Sequence, residues 1–185
     1  MKLKDIIKLS AGFLGLDEVV SVLDDETQDN EYTMPIITKL TSLCNVVTGE
    51  LSSSYLPLVR SDEVKVINGK ISMTALQKRP TKILQVNDST GKELEFSYDA
   101  NSIYANTTSA KISYNYVAEN YKLTDDVGYN EQIISKIELA YGVCAEYCLT
   151  ERRFDEAVMW HERFVDAVKQ RVLPKNVNTR ARRWG

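Results

Sequence analysis

Residues Asn130–Val172, NEQIISKIELAYGVCAEYCLTERRFDEAVMWHERFVDAVKQRV, decide how this chain folds. In the first half, Ile133, Ile134, Ile137, Ala140, Tyr141, Cys144, Tyr147 and Cys148 recur at steps of three and four. In the second half, Phe154, Ala157, Val158, Trp160, Phe164 and Val168 repeat the pattern. Such steps line one face of a 3.6-residue helix with apolar side chains. The polar link around Leu149–Arg153 allows only an antiparallel return, so the two stripes are expected to close on each other as a helical hairpin. Nothing in the stretch looks catalytic. It reads as a scaffold on which the upstream chain docks.

Upstream, Leu3–Leu14 predicts a short helix with Ile6, Ile7 and Phe13 on its apolar side, and Leu16–Leu23 one or two further turns. Asp17–Glu31 holds seven acidic residues and no base, and Asp24–Glu31 reads as a solvated loop. A longer helix is expected from Thr33 as N-cap, with Pro35 in the first turn and Ile36, Ile37, Leu40, Leu43, Cys44, Val47 and Leu51 as its stripe. It should end at Ser52–Tyr55, before Pro57 enforces an extended exit.

From Leu58 the period falls to two. Val64 and Val66 lead into Asn68-Gly69, a strong two-residue turn signal, and Ile71 and Met73 follow. Thr81–Val86 is a strand candidate, Asp88–Gly91 is turn chemistry, and Leu94/Phe96/Tyr98 and Ile112/Tyr114/Tyr116 alternate. The polar run Asp99–Ala110 reads as their connection. One antiparallel sheet of four or five strands results, and it is expected to lie on the helices, since so small a sheet cannot cover its apolar face alone. Thr124–Gly128 then returns the chain to helix, and Pro174 stops the hairpin.

The fold class is therefore α+β: a helical bundle with a C-terminal antiparallel helical hairpin and a small inserted antiparallel β-sheet. A single domain is expected over residues 1–173, with the sheet insert at about 58–118 and an extended basic arm at 174–185. In the arm, Lys175–Gly185 carries four bases and no acid.

Composition excludes several functions. The net charge is −3 and charged residues make up 26%, with no global bias toward nucleic acid. No apolar run approaches the ~20 residues a bilayer demands, and the first residues are too often interrupted by charge to be a secretory segment, so synthesis and folding in cytosol are expected. Cys144 and Cys148 sit one helical turn apart on the inward face, poorly placed for a disulfide. With one histidine, His161, they also make a poor zinc set, so no metal and no other cofactor is expected. His161 lies mid-helix without a nucleophile pattern around it, and there is no glycine-rich phosphate cradle. The acidic loop lacks the alternating ligands of a calcium loop. The reading is of a protein that is not an enzyme.

The arm is more informative. Arg180, Arg182, Arg183 and Trp184 combine forked donors with one large flat ring, the residue types that most often anchor interfaces. The bland alternative is a solubilising end, and a third reading is contact with nucleic-acid phosphates.

Four segments carry a resemblance: Tyr55-Leu-Pro-Leu with Val64-Lys-Val-Ile-Asn-Gly-Lys-Ile71; Pro80-Thr-Lys-Ile-Leu-Gln-Val-Asn-Asp-Ser-Thr-Gly91; Ile112-Ser-Tyr-Asn-Tyr-Val117 with Asp125-Asp126 after it; and Ala140–Val168 with its turn Glu146-Tyr-Cys-Leu-Thr-Glu-Arg-Arg-Phe-Asp-Glu-Ala157. In pattern and layout over about Met34–Val172 the chain resembles the head–tail adaptor (connector) proteins of tailed bacteriophages. The acidic Asp17–Glu31 stretch departs from that layout.

The resemblance implies a structural virion protein at the head–tail interface, made in the host cytoplasm. Its copies would form a homo-oligomeric ring under the portal protein and join the capsid vertex to the next neck or tail protein. The ring would be part of the genome exit channel, with phage DNA passing through without sequence-specific binding and no membrane involved. It also implies that Arg180, Arg182, Arg183 and Trp184 bind the portal. Two rivals remain at this point. One is a helical-repeat-like protein-binding module, which Tyr141-Gly142 and Arg153–Ala157 faintly suggest, although a solenoid needs about three or more repeats. The other is a basic-tail nucleic-acid binder.

Overall fold

The structure is a computed structural model that describes residues 1–24 and 31–172. It has two packed regions, a helical body and a β lobe inserted into it. The body contains α1 (Leu3–Phe13), α2 (Asp17–Asp24), α3 (Met34–Glu50), α4 (Lys136–Thr150) and α5 (Phe154–Val172). The lobe contains β1 (Leu58–Lys65), β2 (Lys70–Ser72), β3 (Pro80–Asp88), β4 (Phe96–Tyr98), β5 (Ser102–Ala105) and β6 (Ser109–Tyr116). The class is α+β, with an antiparallel insert and a helical hairpin following it.

The chain enters the body through α1, whose Leu3, Ile6, Ile7 and Ala11 are fully buried. Gly15 ends this helix by taking φ +71°, which lets the Leu16 N–H donate to the Ala11 carbonyl at 2.9 Å. That is the glycine-terminated helix end expected of a residue without a Cβ. α2 then buries Val19 and Leu23. In α3, Ile37, Leu40, Cys44 and Val47 face inward, and Pro35 sits in the first turn as expected. Thr33 takes the N-cap position of α3 as expected, but its backbone is already in the helical region and its side chain makes no cap bond. A π-helical turn, Leu51–Tyr55, closes α3 before the chain extends.

α4 starts later than the hydrophobic periodicity implies. Asn130 accepts from the N–H groups of Ile133 and Ile134 in a separate turn, and Ser135 is extended. Ser135 and Glu138 then form a reciprocal capping box, 3.3 Å from the Glu138 N–H to Ser135 Oγ and 2.7 Å from the Ser135 N–H to the Glu138 carboxylate. Both bonds satisfy donors that a helix start leaves unpaired, so they set the boundary. The α4–α5 turn places Arg152 at φ +60°, and the Arg153 N–H donates to the Cys148 carbonyl at 2.8 Å. Cys44, Cys144 and Cys148 are free and buried, as the sequence implied for the pair on α4.

The insert differs from the single sheet expected. Its six strands form two three-stranded antiparallel sheets, in the orders β1-β6-β3 and β2-β5-β4. Asn68 (φ +52°) and Gly69 (φ +73°) make the two-residue turn, but it carries the chain from one sheet to the other. The polar run Asp99–Ala110 contains the central strand β5, whose Ser102, Ile103 and Ala105 are buried.

The two sheets close on each other rather than on the helices. Val64, Ile83, Val86, Ile112 and Tyr114 from one meet Ile71, Ile103 and Ala105 from the other in a core of their own. Two facing sheets remove the need for a helical cover. Half-buried Tyr116 packs against both cores and marks their junction.

Residues 117–135 do not return directly to helix at Thr124–Gly128. They run along the body, where the Leu3 N–H donates to the Asp125 carbonyl (3.0 Å) and the Val127 N–H to the Met1 carbonyl (2.9 Å). Asn45 holds the same segment twice, accepting from the Tyr121 N–H (2.8 Å) and donating to the Tyr121 carbonyl (3.0 Å). At the junction, the Ala118 N–H donates to Ser52 Oγ (2.9 Å) and the Tyr129 hydroxyl to the Leu56 carbonyl (2.9 Å).

Candidate functional site

The anchors expected in the arm, Arg180, Arg182, Arg183 and Trp184, lie outside the described residues. The helix that leads to them is described to Val172, and its faces are unequal. Ala157, Trp160, Phe164 and Val168 point into the core. Phe154 and Val158, which the sequence pattern assigned to the same stripe, are 61% and 58% exposed. The periodicity was right and the facing was not. At 100° per residue, Phe154, Val158, His161, Val165 and Val172 share a second stripe roughly a quarter turn from the first. The described residues leave it largely uncovered.

The distal part of this stripe forms one wall of an apolar groove of about 290 Å³. His161, Val165, Val168 and Val172 come from α5, with Phe164 at the floor, and Tyr55 from the π-helical turn stands opposite. Glu50, the last residue of α3, and Lys169 lie at its rim. The signal in the sequence was Val165 and Val172, which fall outside the inward stripe of α5 yet are apolar.

The end of α5 that lines the groove is tied to α4. Arg171, next to Val172, donates to Glu138 at 3.0 Å and ties the last turn of α5 to the first turn of α4. Burial pushes the Glu138 carboxyl up, but the bonds from Ser135 and Arg171 outweigh it and hold it below its ordinary value. Near the start of the inward stripe, Phe13, Tyr141 and Trp160 stack with centroids 5.5–5.7 Å apart. The Arg163 guanidinium lies 4.9 Å from the Trp160 ring. The offset and the cation over the ring are each favourable.

The lobe presents a contrasting surface. A sheet edge invites another strand, and each of its four edges is blunted. β2 and β4 are three residues long, β3 has register shifts between Pro80/Lys82 and Ile83/Gln85, and β1 turns Asp62 inward. Asp62 is 6% exposed and accepts from the Tyr114 hydroxyl (2.6 Å), the Gln77 N–H (2.8 Å) and Arg60 Nε (2.9 Å). Burial alone would raise its pKa, and these three bonds together hold it below the ordinary value. Burial and the bond to Asp62 push the Tyr114 phenol up to about 12. Both groups are fixed in one protonation state near neutrality, as a structural tie rather than a proton-transfer pair.

Among the described residues, no cluster of His, Cys, Asp and Glu gathers to hold a metal, and no helix is long and apolar enough to cross a membrane. In comparison with known proteins, the chain matches no family model and no curated protein.

Proposed function

We propose that this chain is a head–tail adaptor of a tailed bacteriophage. Copies stand in a ring under the portal, join the capsid vertex to the next neck or tail protein, and form part of the channel through which the genome leaves. The role is structural and requires no cofactor. The observation that carries the reading is the second stripe of α5. It is an uncovered apolar face on a rigid helical hairpin, and it runs directly to the start of a segment rich in arginine and ending in Trp184-Gly185. Large exposed apolar faces mark protein-docking surfaces. The blunted β edges support the same division of labour, with the helical body and arm binding and the lobe held out as a self-contained spacer.

The test uses rings of the cognate portal protein. The full chain co-sediments with them, and a chain cut after Pro174 does not, while its circular dichroism is unchanged. Equal co-sedimentation of the cut chain would overturn the assignment of the arm. A nucleic-acid binder gives a different result: affinity for DNA that falls steeply with salt and vanishes on the same cut.

A further inference from the structure

The exposed face of α5 is complementary to itself. We propose that the free chain pairs two-fold through this face, with the two α5 helices antiparallel and each copy setting Phe154 and Val158 into the groove of the other.

The spacing comes first. Phe154, Val158, His161, Val165, Val168 and Val172 recur at steps of four, three, four, three and four. That is the seam of a helix that packs lengthwise on another helix. The seam is uneven in height. At its start Phe154 and Val158 stand out, 61% and 58% exposed. Toward its end Val168 is only 4% exposed, and the surface sinks there into the groove of about 290 Å³ that Tyr55 walls on the far side. A protrusion and a hollow at opposite ends of one seam match when a second copy runs the other way. Phe154 then lies opposite Val172, Val158 opposite Val168 and His161 opposite Val165, and each contact is made twice. Such reciprocity is what a two-fold interface requires. A second copy is therefore the occupant for which the face is shaped.

Charge fixes the direction. Asp155, Glu162 and Lys169 are exposed and follow one another at seven-residue steps, so they share the edge of the seam away from the core. Antiparallel pairing sets Asp155 of each copy beside Lys169 of the other. Parallel pairing sets like charges together at both ends. The first turn of α5 is acidic and the last basic, which favours the same direction. Glu156 is held by Arg153 and Arg171 by Glu138, which leaves Asp155 and Lys169 to act across the interface. Glu162 meets its own copy near the axis, a like-charge pair in the open that salt screens. Glu50, the acid of the groove, stands on the α3 wall rather than on that edge.

The pairing does not depend on the adaptor reading. That reading enters only in the consequence: a two-fold pair covers the stripe that the reading gives to assembly, so a ring grows only from copies that a portal has separated.

The experiment is sedimentation velocity on the full chain over a range of concentrations. The expected result is an equilibrium between monomer and dimer. Phe154→Ser, at an exposed position, should weaken pairing by about 100-fold or more and leave the circular dichroism unchanged. Asp155→Lys should weaken it by about 10-fold. Adding Lys169→Asp to Asp155→Lys should restore it, and Glu162→Gln should tighten it. A chain that stays monomeric at every concentration overturns the proposal, and so does a dimer indifferent to Phe154→Ser. Open-ended or ring-sized species in place of the dimer overturn it too, by assigning the face to a head-to-tail contact. A double reversal that fails to restore pairing overturns the antiparallel arrangement. Titration with portal rings separates the two readings. Rings that bind a chain found only as monomer uphold the adaptor and overturn the pair. A dimer that no ring binds or dissociates upholds the pair and overturns the adaptor.

Discussion

The helical body and the β lobe solve the same problem of hiding apolar surface in opposite ways. The lobe is built from one contiguous stretch, and its two sheets cover each other. The body is built from segments on both sides of that stretch, so α1 and α3 meet α4 only once the lobe's two ends are brought together. The lobe closes on itself and blunts its edges. The body closes its inward faces and leaves a lateral stripe and a groove open on α5. One region hides its apolar surface within itself, and the other leaves part of it exposed on α5.

The largest expected effect breaks this contrast where it is sharpest. Leu40 is fully buried in the body, and Leu40→Ala should destabilise it by about 3 kcal/mol. Urea unfolding followed by helical circular dichroism should shift, while hydrogen exchange at Ile103 and Ile112 in the lobe keeps its protection. Loss of protection in both regions together would show that they unfold as one unit.

The converse is Asp62→Ala, which strands the Tyr114 hydroxyl and the Gln77 N–H and should cost the lobe about 2–3 kcal/mol with little change in the body. The pH dependence has a definite sign. Because the Asp62 pKa is lowered on folding, its contribution is complete above the ordinary carboxylate value and is lost as pH falls through the lower folded one. The raised Tyr114 works the other way, with a contribution intact below about 10 and lost as pH rises toward about 12. Acid and alkaline unfolding monitored at lobe amides should both flatten in Asp62→Asn.

Gly142→Ala probes how tightly the body is closed. A Cβ there would lie 2.8 Å from Val47 Cγ1 and 3.2 Å from the Phe164 ring. The better helix propensity of alanine offsets part of the clash, leaving a net loss of about 1–2 kcal/mol in thermal unfolding. The smallest effect should be a gain. The β1–β2 turn places Asn68-Gly69 at its left-handed positions, whereas the α4–α5 turn places Arg152 at its own. Arg152→Gly should stabilise the hairpin by about 0.5–1 kcal/mol, read as a raised melting temperature.

Much of this was legible before any coordinates. Helices α1, α2, α3 and α5, the Asn68-Gly69 turn, strands β1, β3 and β6 and the buried cysteines follow from periodicity and turn chemistry. The misplacements have specific causes. The capping box at Ser135, not the apolar repeat that begins at Ile133, decides where α4 starts. Strand β5 is short and flanked by Asn101 and Asn106, so its two buried apolar residues, Ile103 and Ala105, were masked by polar neighbours. Phe154 and Val158 share a period with the core residues of α5 but differ in phase, and phase is set by what lies opposite.

The sequence by itself therefore determined the class, the order of elements and the existence of an apolar hairpin, because local spacing and turn residues act over a few positions. Tertiary structure alone decided that the insert is two sheets rather than one, and that α5 has a second face. Both depend on which surfaces meet across a long stretch of chain, and no window of neighbouring residues records that.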